Sequence, residues 1–130
     1  MIHKTANLYP SAQVDSTSKV GAFAEIGHKV IIGKNCSIGF GAFIPENVEI
    51  GDNVFIGPGV VFTNDKYAPS KGKWRKDPPT KVQNNVTIGA NSTILPSLTI
   101  GANSRIGAGS VLTKNLPNNS VAYGNPAKCQ

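Results

Sequence analysis

The sequence contains few of the residues that build covalent or metal-based frameworks. Among its 130 residues there are only two cysteines, Cys36 and Cys129, and two histidines. Two cysteines do not make a disulfide framework, and two histidines cannot supply a three-histidine zinc site. We therefore expect a fold held by its hydrophobic core, and a chemistry that uses no metal.

Long apolar runs are missing as well. No apolar segment approaches the roughly 18 residues of a membrane span, and the first ten residues lack the apolar block of a signal peptide. We expect one cytoplasmic domain over residues 1–130, without membrane insertion. The net charge of +6 favours acidic partners. Nucleic acid is not expected among them, because the chain offers no recognisable element that reads bases.

A repeat of six residues runs through most of the chain. An apolar residue occupies the first position of seventeen hexads, eleven from Ile2 to Phe62 and six from Val82 to Leu112. Glycine follows that residue in nine hexads, and the fifth position is small or aliphatic in most of them. A fixed short period is interpreted before any local secondary structure, because it dictates the fold.

A period of six fits neither a helix of about 3.6 residues per turn nor a plain alternating strand. It fits a short strand followed by a corner, with three hexads forming one triangular coil of about 18 residues. The repeat thus predicts an all-β parallel β-helix of about five to six coils. A propeller or a sandwich would show turn signals only every ~8–12 residues. Spacing does not determine the handedness, and crossover rules favour a right-handed path.

The repeat is interrupted once, over residues 63–81, and this segment is basic and aromatic. Trp74 and Tyr67 lie within it. Its positive charges are Lys66, Lys71, Lys73, Arg75, Lys76 and Lys81. The interruption leaves from the end of one coil, so we expect the frame to continue beneath a protruding loop. A loop on a rigid frame is a common place for function, and we interpret it as the rim of an active site. A solvated excursion without function remains the alternative.

Several motifs in the repeat resemble those of the hexapeptide-repeat acyltransferases. They are IGDNVFIGP at 50–58, IGANSTILP at 88–96, IGAGSVLTKNLP at 106–117 and GNPAK at 124–128. The resemblance implies a left-handed β-helix, a homotrimer, and acetyl-CoA bound in a groove between subunits. The motif VVFTNDKY at 60–67 is similar to the active-site approach of N-acetyltransferases that act on nucleotide-linked amino sugars in surface polysaccharide biosynthesis.

The same resemblance implies roles for residues of the loop. Asn64 would hold the sugar amine or the thioester carbonyl, and Asp65 would orient the sugar or the loop. The charge and aromatic residues of the loop themselves suggest substrate contacts: Lys66 would attract a diphosphate, and Tyr67 or Trp74 would pack on a base or on a neighbouring subunit. The alternative for Asn64 and Asp65 is a plain turn, which both residue types favour.

A second set of residues is implied for the cofactor, acetyl-CoA. Its pantetheine would pass the small outward residues Ala90 and Ala108, where an absent side chain leaves room for an extended ligand. Lys114 and Lys128 would contact its phosphates.

Spacing alone places three further polar residues together. His28, Glu46 and Asn64 are 18 apart, so we expect them on one outer column, with about 10 Å between the first and the last. His28 is then too distant to deprotonate an acceptor held at Asn64 within one chain. His28 and Glu46 are candidates for substrate contacts, or they are exposed turn residues.

The loop contains no histidine, and this affects whether the acceptor is expected to be an amine or a hydroxyl. Acyl transfer to a hydroxyl needs a base, whereas a neutral amine is already nucleophilic and needs mainly positioning and an oxyanion donor. The sequence therefore favours an acetyl-CoA-dependent N-acetyltransferase of an amino sugar. The alternatives are a sugar O-acetyltransferase, with His28 as the suspected base, and a non-catalytic β-helix scaffold.

Overall fold

The computed structural model describes all residues from Met1 to Gln130 and contains eighteen short strands in three sheets. From β1 to β16 the chain visits the three sheets in rotation, and most strands are two residues long. The result is a left-handed parallel β-helix of about six coils, which confirms the predicted fold class. No helix has the length and apolar character needed to cross a membrane.

Sheet I consists of β1 (Asn7–Leu8), β4 (Glu25–Ile26), β7 (Phe43–Ile44), β10 (Val61–Phe62), β13 (Thr93–Ile94) and β16 (Val111–Leu112). Sheet II consists of β2 (Gln13–Val14), β5 (Ile31–Ile32), β8 (Val48–Ile50), β11 (Thr80–Val82) and β14 (Thr99–Ile100). Sheet III consists of β3 (Lys19–Val20), β6 (Ser37–Ile38), β9 (Phe55–Ile56), β12 (Thr87–Ile88), β15 (Arg105–Ile106), β17 (Val121–Gly124) and β18 (Ala127–Cys129). All pairings are parallel except that of β17 with β18, which closes the C-terminal end.

The first residue of each hexad fills the interior. In sheet I, for example, Ile26 pairs with Ile44, and Phe62 pairs with Ile94, in the register that a spacing of one coil predicts. From Val20 onward every one of these residues is buried, and the small fifth residues complete a core of 25 hydrophobic side chains. The stacked columns expected from the repeat are therefore confirmed.

Two backbone requirements explain the polar and glycine positions of the hexad. Glycines after the apolar residue lie against the next coil: a Cβ on Gly57 would meet the backbone nitrogen of Ala90 at 2.7 Å. The fourth position turns the corner with positive φ, as at Asn53 (56°) and Asn103 (62°). Asparagine tolerates this left-handed conformation better than most residues, which accounts for its recurrence there.

The loop leaves sheet I after β10 and returns to sheet II at β11. Its one regular element is a short 3-10 turn, η1 (Lys73–Lys76). The predicted end at residue 81 was two residues too late, because Thr80 and Lys81 already belong to β11. There Lys81 pairs with Glu49 and Thr99 on the outside of sheet II. Uninterrupted ladders on both sides of the loop confirm that the frame continues beneath it.

Candidate active site

The loop begins at the corner between sheets I and II, and its first residues are tied to the frame. Thr63 donates from its hydroxyl to the carbonyl oxygen of Ile94 at 2.9 Å. Asn64 donates from Nδ2 to the backbone oxygen of Glu46 at 3.0 Å. Since Glu46 lies one coil before Asn64, this bond confirms that the two share one outer column. Asn64 is half-buried and held in place.

The amide of Asn64 keeps free hydrogen-bonding capacity. An asparagine side chain has two N–H donors and an acceptor oxygen. One N–H is engaged by Glu46, while the second N–H and Oδ1 have no partner within the chain. The side chain can therefore donate to a developing oxyanion, or accept from an amine, without giving up its tether.

Asp65 points into the loop rather than toward the column. Its Oδ2 accepts from the backbone N–H of Ser70 at 2.9 Å. Its Oδ1 is buried without a partner, as is the hydroxyl of Ser70. Buried polar atoms without partners are uncommon in folded proteins, and these two lie in the wall of a cavity. In this conformation Asp65 shapes the loop.

That cavity has a volume of about 570 Å³ and lies within the loop itself. Its lining contains three lysines and two aspartates, with Tyr67 and Trp74 as the aromatic residues; the charged residues are Lys66, Lys71, Lys73, Asp65 and Asp77. Tyr67 is 80% exposed, and the ammonium group of Lys66 lies 5.5 Å from its ring centroid. The cavity thus offers positive charge beside aromatic surface, a combination that suits an anionic ligand with a planar group.

His28 and Glu46 lie where the spacing predicts, on the same corner as Asn64. His28 is exposed, and its Nδ1 contacts the hydroxyl of Ser11. Glu46 is half-buried, and its Oε2 lies 3.5 Å from Nε of Arg75 in the loop. The spacing of the repeat does not predict this contact, because the contact depends on how the loop folds back over the corner. Arg75 is thus a residue of the site that the sequence did not single out.

The residues predicted to contact acetyl-CoA occupy two separate places. Ala90 and Ala108 stack on the corner between sheets III and I, and the backbone N–H of Gly109 donates to the oxygen of Ala90 at 2.8 Å. Lys114 and Lys128 are exposed and line a second cavity of about 280 Å³ at the C-terminal end. The structure brings the two lysines together but leaves both alanines on another corner.

Within one chain, Ala90 and Ala108 lie on the corner that precedes sheet I, whereas Asn64 lies on the corner that follows it. The corner after β9 and the corner after β10 are six residues apart, up to about 20 Å at 3.3 Å per residue. The outer face of sheet I lies between these two corners.

No group of three or more His, Cys, Asp or Glu side chains is arranged to hold a metal ion.

The fold and its repeat define a hexapeptide-repeat β-helix protein. The sequence profile of the bacterial transferase hexapeptide family matches residues 11–46, 29–64 and 79–114, and the chain belongs to that family. A galactoside O-acetyltransferase of Lactococcus lactis is 51% identical over 45 residues, which are 35% of this chain and 22% of that protein.

Solved structures resemble nearly the whole chain. The GDP-perosamine N-acetyltransferase of Caulobacter crescentus, a mutant solved with CoA and GDP-perosamine, superposes with a TM-score of 0.85 at 26% identity, over 99% of this chain and 55% of that one. The acetyltransferase domain of PglB from Neisseria gonorrhoeae superposes with a TM-score of 0.87 at 23% identity, over 100% of this chain and 57% of that one. The chain thus spans little more than half the length of these two proteins.

Proposed function

We propose that this protein is an acetyl-CoA-dependent N-acetyltransferase that acts on the amine of a nucleotide-linked amino sugar. The observation that carries the proposal is Asn64, an amide fixed at the base of the loop with a free N–H and a free oxygen. No histidine accompanies it in the loop. The similarity to the perosamine N-acetyltransferase supports the same acceptor chemistry.

In this mechanism the amine nitrogen attacks the thioester carbonyl carbon, and the C–S bond breaks as the C–N bond forms. The free N–H of Asn64 donates to the carbonyl oxygen as negative charge develops on it. Its tether to Glu46 holds the donor before reaction, so that little reorganisation is needed. The proton that the amine loses goes to the departing thiolate, which leaves as the thiol of CoA.

The loop cavity is proposed to hold the nucleotide end of the substrate. Lys66 and its neighbouring lysines attract the diphosphate, and Tyr67 or Trp74 packs on the base. Asp65 contributes by closing the loop on the Ser70 N–H, so its role is positioning. A substrate of this class fits a role in surface polysaccharide biosynthesis.

Acetyl-CoA is proposed to lie along the corner of Ala90 and Ala108, with its phosphates at Lys114 or Lys128. The two small side chains leave the backbone of neighbouring coils open to an extended pantetheine chain. Because this corner lies away from Asn64 on one chain, a complete site requires a second chain. We therefore propose a homotrimer with its sites between subunits.

Apolar residues on the outer surface support that assembly. Phe43 and Val61 are neighbours on the outer face of sheet I, and Phe23 packs edge-to-face on Phe40 at the adjoining corner, with 5.6 Å between centroids. Phe23 and Phe40 are 63% and 59% exposed, unusual values for phenylalanines on a free surface. Packing against another copy would bury them. Light scattering is expected to give about three times the protomer mass of 13.6 kDa, and the protomer mass itself would argue against shared sites.

One observation favours a second candidate, transfer to a sugar hydroxyl. The similarity of one segment to part of a galactoside O-acetyltransferase supports an oxygen acceptor. In that case His28 is the suspected base, acting from a neighbouring subunit.

Thiol release from acetyl-CoA tests the proposal. The acceptors are nucleotide-linked 3- and 4-amino sugars, and mass spectrometry locates the added acetyl group. An N-acetylated product is the expected result. Turnover with hydroxyl sugars alone would instead indicate a sugar O-acetyltransferase. Failure to bind CoA would indicate a non-catalytic β-helix scaffold.

A further inference from the structure

The contact between Glu46 and Arg75 is the only ion pair in the molecule. The chain carries 13 Lys and Arg against 7 Asp and Glu, yet only these two approach within 4.0 Å. Their side chains are 21% and 59% exposed, respectively. A pair so open to solvent contributes little to folding stability. It does, however, place a carboxylate and a loop cation directly beside Asn64.

The carboxylate of Glu46 is incompletely satisfied. Its Oε2 lies 3.5 Å from Arg75, which is longer than a charge-assisted hydrogen bond. Its Oε1 has no partner within the chain, although the backbone oxygen of the same residue receives the Asn64 amide. A negative charge with a free oxygen is thus carried by the residue whose backbone oxygen tethers Asn64, the group proposed to polarise the thioester.

An acceptor amine has a requirement that this charge meets. Aliphatic amines are largely protonated at neutral pH, and an ammonium group is not a nucleophile. The site must therefore bind the cation and then remove one proton. A hydroxyl acceptor carries no positive charge, so a carboxylate in the same place would not strengthen its binding by charge attraction.

We propose that Glu46 recognises the acceptor as an ammonium ion, which takes the place of Arg75 on the carboxylate. This inference rests on the N-acetyltransferase function proposed above. Glu46 accepts one proton and so generates the neutral amine, which then forms the C–N bond as the C–S bond breaks. The second proton goes to the thiolate of CoA, and Glu46 returns the first to water. Glu46 is therefore a specificity-determining and catalytic residue for the proposed reaction.

The position of Arg75 allows the acceptor ammonium group to replace it on the carboxylate of Glu46. An ammonium group can reach the free Oε1 of Glu46, and repulsion between the two cations then favours release of Arg75 from Oε2. Arg75 stacks on the ring of Trp74, 4.5 Å from its centroid, and has no hydrogen bond to Glu46. It can move away on an exposed loop at low cost. In the free protein it keeps the carboxylate paired, and in the complex it yields to the substrate.

Asp65, the other carboxylate near Asn64, is less suited to this role. One of its oxygens is engaged by the backbone N–H of Ser70, and the other is buried inside the loop. Binding an ammonium there would disturb the bond that closes the loop. Glu46 requires no such change.

The test measures binding of two ligands in the presence of CoA: a nucleotide-linked amino sugar and the same sugar with a hydroxyl in place of the amine. The ratio of their dissociation constants is the readout. Glu46→Gln removes the charge at constant shape and is expected to weaken amino-sugar binding about 10- to 100-fold, with the hydroxyl sugar nearly unchanged. Arg75→Gln removes the competitor and is expected to raise the preference for the amine.

Glu49→Gln serves as the matched control, since Glu49 is exposed on the outer face of sheet II and pairs with Lys81. It should keep the wild-type ratio, and Glu46→Asp should keep most of it. An unchanged ratio in Glu46→Gln, or a lowered preference for the amine in Arg75→Gln, would overturn the proposal. If Glu46→Gln does not fold, Arg75→Gln alone tests the proposal. A weaker preference for the amino sugar in Arg75→Gln would then overturn it. Absence of any acetylation by the wild type would instead refute the proposed function.

Discussion

Replacing Asn64 by alanine separates the chemistry of the site from its architecture. The change removes both the free N–H that is proposed to stabilise the oxyanion and the N–H that donates to Glu46 at 3.0 Å. It leaves the core untouched, because Asn64 lies outside the interior column to which Phe62 belongs.

The two losses have different sizes. Loss of one oxyanion donor lowers kcat by about 100- to 1000-fold. Loss of one partly buried hydrogen bond costs about 1 kcal/mol of folding stability, which corresponds to roughly 4 °C in Tm for a domain of this size. We therefore expect Asn64→Ala to have a much reduced turnover in a protein that is only slightly less stable.

Steady-state thiol release and a thermal melt check both expectations, with Thr63→Val as the matched control. That variant keeps the shape of the side chain but removes the hydrogen bond from the Thr63 hydroxyl to Ile94. Its Tm should fall by a similar amount while kcat stays within about threefold. A kcat in Asn64→Ala equal to that of Thr63→Val would refute the reasoning, since Asn64 would then act only as a tether.

Three further predictions concern the frame. Phe62→Ala leaves a cavity at a fully buried position below the loop, and it should lower the free energy of unfolding by about 3–5 kcal/mol in chemical denaturation. A decrease of less than about 1 kcal/mol would contradict the burial of Phe62. Gly89→Ala should cost about 1–3 kcal/mol, because its Cβ would lie 2.4 Å from the nitrogen of Ala108, and an unchanged Tm would argue against so close an approach. Burial raises the pKa of the Cys36 thiol, so folding stability should be fully present below about pH 9 and decline as the pH rises above it. A thiol reagent should modify exposed Cys129 first and Cys36 only on unfolding, and rapid modification of both would contradict this.

The fold was predictable because a strict period leaves few alternatives. The phase of the hexads correctly predicted which residues point inward, which residues stack and where the loop departs. It also placed Glu46 beside Asn64 on one corner. The same phase places Ala90 and Ala108 on the corner after sheet III and Asn64 on the corner after sheet I.

The rest of the site depends on features that have no period. The loop ends two residues earlier than expected, because Thr80 and Lys81 extend the ladder of sheet II. The contact of Arg75 with Glu46 depends on how the loop folds back, and spacing carries no information about this. The tether of Asn64 uses a backbone carbonyl, whose direction depends on the local corner conformation. The roles of the loop residues therefore remain proposals.

The most direct test of the central claim is a comparison of two acceptors that differ at one atom. Thiol release from acetyl-CoA is measured with a nucleotide-linked amino sugar and with its hydroxyl counterpart at the same carbon. An N-acetyltransferase should turn over the amino sugar, form an amide in the product and show little or no turnover of the hydroxyl sugar. Equal or faster turnover of the hydroxyl sugar would contradict it.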